Sequence, residues 1–393
     1  MPWRSPMSAK EALIFDVNGG MAVSQAAELH GVDRSCAYKW VARVREAGGL
    51  AGLAERSRRP EHSPNRTPQA VVDELLRLKR KHQDYGPAKL VELLETRHGG
   101  HILAVSTAGT ILARHGAVRK RAPRRPSVGR IDHRPYQIAG AGDTMSADFK
   151  GQFRMGNGEL CYPLTICDPF SRYVLSIVAM PATRTAPVKA AFDRVFREYG
   201  VPRQIISDNG TPFSAANSLG GLTQLSRWWI ELGITPVRIA PGRPDQNGIH
   251  ERMHRTFNAW IVRHPRNDLR GSQRSFHGFR GDFNHVRPHQ ALGQKTPGSA
   301  FKHYRPYPTR SSIEYDSSMQ VRKVNANGEI KWQGHLIFAT EVLIGTNIGL
   351  TQVGEQLWSI HFGPVRIGFL DGRTNRVFNR APAAPDHDPE VVS

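Results

Sequence analysis

Three acidic side chains, Asp148, Asp208 and Glu251, fall where a carboxylate is costly and therefore informative. Asp148 interrupts the strand-like run DTMSADF, Asp208 ends RQIISD, and Glu251 lies about two turns into a helical pattern opening near Asp245. A carboxylate inside a strand loses hydration, and several together repel one another and resist ionisation. A divalent cation resolves both conflicts. Mg²⁺ takes a few carboxylates and keeps water and phosphate oxygens as its other ligands, which is what phosphoryl transfer requires.

Two rival readings use neighbouring residues. Asp168, in ICDPFSRY, ends the second strand, where an Asp-Pro turn with Ser171 accounts for it without metal. Residues 250–254 read His-Glu-Arg-Met-His and match the HExxH of zinc peptidases, with His250 and His254 as ligands and Glu251 as base. The longer pattern wants a glycine and a further histidine where this chain has Phe257 and Trp260, and no glutamate follows until Glu314. The pair is therefore read as helix-face histidines.

The elements that must position these residues emerge in chain order. Residues 8–46 hold three short helical stretches, with Ser8, Ser24 and Ser35 as candidate caps and breaks at Asn18-Gly19-Gly20 and Gly31, which spells a helix-turn-helix. The third stretch turns Ala37, Trp40, Val41 and Val44 inward and leaves Tyr38, Lys39, Arg43 and Arg45 outward, a set suited to a recognition helix. Any small three-helix bundle shows the same pattern. The motif recurs after ERSRRPEHSPNRTP: a helix opening at Thr67-Pro68, a turn at Tyr85-Gly86-Pro87, a second helix over AKLVELLETRHG and a third capped by Ser106.

From Asp143 the texture turns to β. Two strands meet at Gly156-Asn157-Gly158, SRYVLSIVAM follows, and helices then alternate with RQIISD and TPVRIA, implying a mixed sheet flanked by helices. Residues 319–380 alternate apolar and polar positions in short runs and predict a small antiparallel barrel. The domain reading is 1–60 helix-turn-helix, 66–117 second helix-turn-helix, 118–142 basic linker, 143–305 catalytic core, 319–380 small β-barrel and 381–393 disordered tail.

Composition narrows the partners. The 393 residues carry 54 Lys plus Arg against 34 Asp plus Glu, a formal charge of +20. Residues 1–134 hold 24 basic and 13 acidic residues, so the excess concentrates on the helical modules and favours a polyanion. A basic surface without a ligand is the plainer alternative. Cys36, Cys161 and Cys167 fit neither a disulfide framework nor a zinc site. No window reaches the roughly 18 apolar residues of a membrane span, so the expectation is a soluble, cytoplasmic protein without a membrane partner, nucleoid-associated when bound to DNA.

The segments SADFKG, ISDNGTPF, PGRPDQNGIHERMHRTFN and NHVRPHQALGQKTPGSAF resemble the catalytic core of bacterial insertion-sequence transposases and retroviral integrases over residues 143 to about 305. Two departures are Met145, where relatives often carry Trp, and the 42 residues between Asp208 and Glu251. The resemblance implies a ribonuclease-H-like fold and an Asp-Asp-Glu triad of Asp148, Asp208 and Glu251 that catalyses and holds two Mg²⁺ ions, with Mn²⁺ able to substitute. It implies phosphodiester hydrolysis at element ends, strand transfer into target DNA, double-stranded DNA as partner and action as a homo-oligomer. Asn247 and Arg255 share a helix face with Glu251 and are candidate DNA contacts, with Lys150, Asn209, Arg243 and Gln246 on flanking loops and Tyr38, Lys39 and Arg43 on the recognition helix. A catalytically inactive DNA-binding repressor and a nuclease without strand transfer remain open alternatives.

Overall fold

A computed structural model describes residues 6–55, 66–118, 137–240, 248–308 and 313–381. Most of the expected basic linker (119–136), the tail (382–393), Arg243, Gln246 and Asn247 lie outside the described residues. The chain divides into two compact units, 1–68 and 69–393.

The first unit holds α1 (Pro6–Asn18), α2 (Val23–Leu29) and α3 (Arg34–Glu46). Leu13, Ile14, Ala26, Ala27, Ala37, Val41, Val44 and Leu53 form its core. The expected inward face of α3 is found, with Trp40 half-buried against that core. The caps differ from expectation. Ser8 and Ser24 lie inside their helices, and α3 is capped by Asp33, whose carboxylate accepts from the Ser35 amide at 2.8 Å. An ionised Asp at the positive end of a helix is the stronger cap.

The second unit opens with α4 (Gln69–Lys81), α5 (Pro87–His98) and α6 (Val105–Arg114), packed through Leu75, Leu78, Leu90, Leu94, Ile111 and Leu112. Ser106 is not a cap, since α6 begins one residue earlier after Ala104.

A six-stranded mixed sheet follows, from β1 (Thr144–Phe149), β2 (Phe153–Arg154), β3 (Leu160–Cys167), β4 (Val174–Met180), β5 (Gln204–Ser207) and β6 (Thr235–Arg238). β3 runs antiparallel to β1, β2 and β4, while β1, β5 and β6 are mutually parallel. The β2–β3 turn uses Asn157-Gly158, with Gly158 at φ 87°. α7 (Thr185–Tyr199) buries Val188, Ala191, Phe192, Val195, Phe196 and Tyr199 at helical spacing. α8 (Gln224–Glu231) adds Trp229, whose ring meets Phe192 edge-on at 4.9 Å.

On the other side lie α9 (Gly248–Arg263) and α10 (Leu269–Gly281), joined through Met253, Phe257, Phe276 and Phe279. Side chains from α10 and the turn after it satisfy the outer edge of β4, the problem every edge strand poses. Asn284 accepts from the Val174 amide and donates to its carbonyl at 2.8 and 2.9 Å, Arg280 donates to the Leu175 carbonyl, and Gln273 bridges Ile177 and Ala179.

After the short α11 (Pro297–Ala300), the last region has β7 (Gln320–Lys323), β8 (Glu329–Trp332), β9 (His335–Phe338), β10 (Asn347–Gly354), β11 (Leu357–Phe362), β12 (Val365–Asp371) and β13 (Arg376–Phe378). The expected closed barrel is not what they form. Five strands make an open sheet in the order β13-β12-β11-β10-β7, and β8 with β9 forms a separate hairpin. The turn at Asn325–Gly328 and the single 3₁₀ turn at Glu341–Leu343 interrupt the ladder where closure would need continuous pairing. Trp332, Ile348, Leu350, Ile360 and Leu370 fill the space between the two layers.

Candidate active site

Asp148 is the fifth residue of β1 and Asp208 immediately follows β5. The parallel register pairs Ser146 with Ile206. Two residues further on, with the same side-chain parity, Asp148 and Asp208 stand side by side on adjoining strands. Glu251 is the fourth residue of α9 as described, and the residues from Asp245 to Asn247, where the expected helix opens, lie outside the described residues.

The electrostatics tie the three together. Burial pushes the Asp148 carboxyl up to about 7, and the nearby charges of Asp208 and then Glu251 push the same way. Among the described residues no three His, Cys, Asp or Glu side chains are gathered tightly enough to hold a metal ion. Asp208 accepts the Gly210 amide on Oδ1 at 3.1 Å. A Cβ on Gly210 would sit 3.2 and 3.4 Å from the Asp208 oxygens, so glycine there keeps the carboxylate uncrowded.

The histidine pair is accounted for without zinc. Both Nε2 atoms converge on the Thr165 hydroxyl, at 2.6 Å from His250 and 2.8 Å from His254. A protein oxygen thus fills the point where the two rings of a zinc-binding helix would meet their metal. His250 Nδ1 reaches the Ser146 hydroxyl at 3.0 Å, and His254 Nδ1 faces Asp148 Oδ2 at 3.9 Å. Burial holds His254 down to about 4 and His250 well below the usual imidazole range, so both are neutral and the His254–Asp148 approach is not an ion pair. Thr165 and Ser146 were missed by the sequence reading. The signal for them is the alternation of polar Thr165 with apolar Leu164 and Ile166 in β3.

Asp168 is fully buried and committed to structure. Its Oδ1 accepts the Phe170 and Ser171 amides at 2.8 Å, and its Oδ2 accepts the Tyr304 hydroxyl at 2.9 Å and the Gly142 amide at 3.4 Å.

The expected DNA contacts sort by surroundings. Arg255 is exposed one turn beyond Glu251 on the same face of α9. Lys150 is half-buried, its ammonium 5.7 Å from the Phe153 ring centre and held below the usual lysine range by burial. Asn209 donates to the Ile239 carbonyl at 2.7 Å, tying the segment after β5 to the one after β6. Tyr38 and Lys39 are exposed and Arg43 half-buried on α3, where Lys39 also neighbours Asp33.

Residues 139–244 and 232–297 match family models described as integrase core domains. Residues 10–61 match a helix-turn-helix domain and 36–112 a homeodomain-like domain. The 39.2 kDa protein of insertion element IS476 from Xanthomonas euvesicatoria is 25% identical over 280 residues, 70% of this chain and 77% of its own length. The 31.7 kDa protein of insertion element IS407 from Burkholderia multivorans is 26% identical over 262 residues, 66% of this chain and 91% of its own. Among solved structures, the simian T-cell lymphotropic virus intasome in complex with PP2A regulatory subunit B56 gamma gives a TM-score of 0.38 at 16% identity, covering 75% of this chain and 98% of that one. The HTLV-2 integrase catalytic core domain in complex with magnesium, in its trimeric form, gives 0.33 at 15% identity, covering 42% and 99%. The chain thus carries an integrase core domain over residues 139–297 and helix-turn-helix-type domains over residues 10–112, and it is similar to these insertion-element proteins.

Proposed function

We propose that this protein is a DNA transposase that binds the ends of a mobile element, hydrolyses a phosphodiester there, and joins the freed 3′-hydroxyl to target DNA. The observation that carries the reading is the placement of Asp148 and Asp208 on adjoining parallel strands, with Glu251 close enough to disturb the same carboxyl.

The donor set fits Mg²⁺. A half-buried carboxylate repelled by two others is a surplus of negative charge, and carboxylates with water are the ligands this hard cation prefers. Asp148, Asp208 and Glu251 would hold it, and when bound it supplies an activated water and neutralises charge at the reacting phosphate. In the first reaction water attacks phosphorus and the bond to the 3′-oxygen breaks, leaving a 3′-hydroxyl on the element. In the second that oxygen bonds to a target phosphorus and displaces the target's own 3′-oxygen.

The chain's own residues prepare the site. Thr165 and His254 fix the strand that carries Asp148, and Gly210 keeps space beside Asp208. Arg255 and Lys150 stand where they can meet DNA phosphates, and Tyr38, Lys39 and Arg43 supply the groove-reading face of α3. Holding two element ends at once calls for more than one copy of the chain.

The test is to incubate the protein and its Glu251→Gln variant with Mg²⁺, plasmid target and labelled DNA from the flanks of its own coding sequence. Nicking and joining that vanish in the variant support the proposal. Binding without cutting by the unaltered protein sinks it.

A further inference from the structure

The second helix-turn-helix turns toward the catalytic core a bend whose shape its own side chains hold. Lys79, in the last turn of α4, donates to the Gln83 and Tyr85 carbonyls at 2.6 and 2.9 Å. Tyr85 is buried in the core of the helical module, its ring stacked on His82 at 4.5 Å between centres, and Pro87 opens α5 two residues later. Asp84 is thereby set at the tip of a firm turn.

Its partners belong to the catalytic core. The carboxylate takes Arg287 on Oδ2 at 2.6 Å and Arg263 on Oδ1 at 3.3 Å. Arg287 also lies over the Tyr85 ring, 4.8 Å from its centre, and the Tyr85 hydroxyl points to Asp282 Oδ2 at 3.5 Å. The two ion pairs are unequal. Arg287 keeps 11% of its side-chain surface in water and Arg263 32%, so the first is partly desolvated and the second is of the kind that contributes little alone. On α5, burial and then the charge of Arg287 bring the Lys89 ammonium down to about 8. Without the Asp84 carboxylate, the seam would set Lys89 of the module against Arg287 of the core. One charge turns repulsion into attachment.

Arg263 ends α9, twelve residues and about 18 Å along one helix from Glu251. On the module, α6 leaves Ser106, Thr110 and Arg114 exposed along one side. We propose that Asp84 is a positioning residue: it docks the second helix-turn-helix on the helix of Glu251, so that duplex DNA held by α6 runs to the triad at a fixed distance and the cut falls at one phosphate. This rests on the transposase reading, in which the helical modules bind element-end DNA.

Hydrogen exchange of the full chain without DNA or metal, in the unaltered protein and in Asp84→Asn, tests the docking. The variant keeps the shape and loses the charge. Exchange over residues 82–90 and 282–290 should rise about tenfold, while α6, protected by Ile111 and Leu112 in the module's own core, keeps its rate. Exchange unmoved in both segments overturns the proposal. Hydroxyl-radical footprints on labelled duplex from the flanks of the coding sequence then test the positioning without any cutting by the triad. The unaltered protein should protect one continuous stretch. Asp84→Asn should keep the protection given by the helical modules within about twofold and lose more than half of that given by the catalytic core, and with Mg²⁺ its nicks should scatter over several phosphates. Arg263→Gln, at the weaker pair, should show the same change at smaller size. A footprint and a nick position both unaltered in Asp84→Asn overturn the proposal even where exchange rises. If the unaltered protein never nicks, the transposase reading falls while exchange and footprint still decide this one; if it protects no DNA, both fall.

Discussion

Thr165 faces Asp148 across the β1–β3 ladder and donates its hydroxyl proton to the Asp148 carbonyl at 2.9 Å. A carbonyl only accepts, so that bond spends the hydroxyl's one hydrogen. His250 and His254, both at the same oxygen, must then each donate from Nε2. Their tautomers are fixed by this count: His250 Nδ1 accepts from Ser146, and His254 Nδ1 turns a lone pair toward Asp148 Oδ2. One buried hydroxyl thereby binds the helix of Glu251 to the strand of Asp148.

Thr165→Val keeps the side-chain volume and removes the hydroxyl, leaving the two histidine N–H donors without their acceptor in the interior. The expected loss is about 3 kcal/mol in chemical denaturation, with most of it recovered by Thr165→Ser. A loss below about 0.5 kcal/mol would mean that the hydroxyl does not join the helix to the sheet.

The pH dependence follows from Asp148. Its carboxyl titrates near 7 when folded, against the ordinary carboxylate value when unfolded, so the folded state holds a proton that the unfolded chain releases between about pH 4 and 7. Stability from this residue is therefore present below that window and is lost as pH rises through it. Asp148→Asn has no charge to bury, and should out-stabilise the parent at pH 8 but not at pH 4. Urea midpoints in EDTA at the two values check this, and parallel curves would remove the proposed repulsion.

How much of this was legible in the sequence differs by residue. Asp148 and Asp208 announce themselves because a charge inside or at the end of an apolar strand needs a reason. The inward face of α3 is equally plain, since Ala37, Val41 and Val44 recur at helical spacing. α10 is not plain: it buries Gly271, Ser272 and Ser275 beside Phe276 and Phe279, and small polar residues hide the period. The open C-terminal sheet was out of reach too, because alternation in β7 to β13 states which face is buried but not whether the first and last strands meet. His250 and His254 show the converse, a real motif whose spacing comes from helix geometry and whose shared partner is a threonine on another element.

Gly210→Ala tests the space beside Asp208. The added methyl must push against the carboxylate oxygens 3.2 and 3.4 Å away, while the exposed position predicts a stability change within about 0.5 kcal/mol. DNA nicking should fall by about tenfold or more with Tm nearly unchanged. Full activity in this variant would show that the Asp208 carboxylate need not stand where it does.

Asn284 offers the sharpest stability test. It is buried, and its amide completes both hydrogen bonds of Val174 at the outer edge of β4, doing for one residue what a further strand would do. Asn284→Ala leaves an amide and a carbonyl without partners where water has little access, and should cost about 2–4 kcal/mol. Asn284→Asp keeps the acceptor for the Val174 amide but sets a carboxylate against the Val174 carbonyl, so it should be at least as damaging despite its shape. Gln273 and Arg280 satisfy other positions of the same edge, so β4 should remain in the sheet while its first residues lose protection from hydrogen exchange. Loss of protection confined to Val174 and its neighbours supports the edge-capping role, and unaltered exchange there in a destabilised variant would refute it.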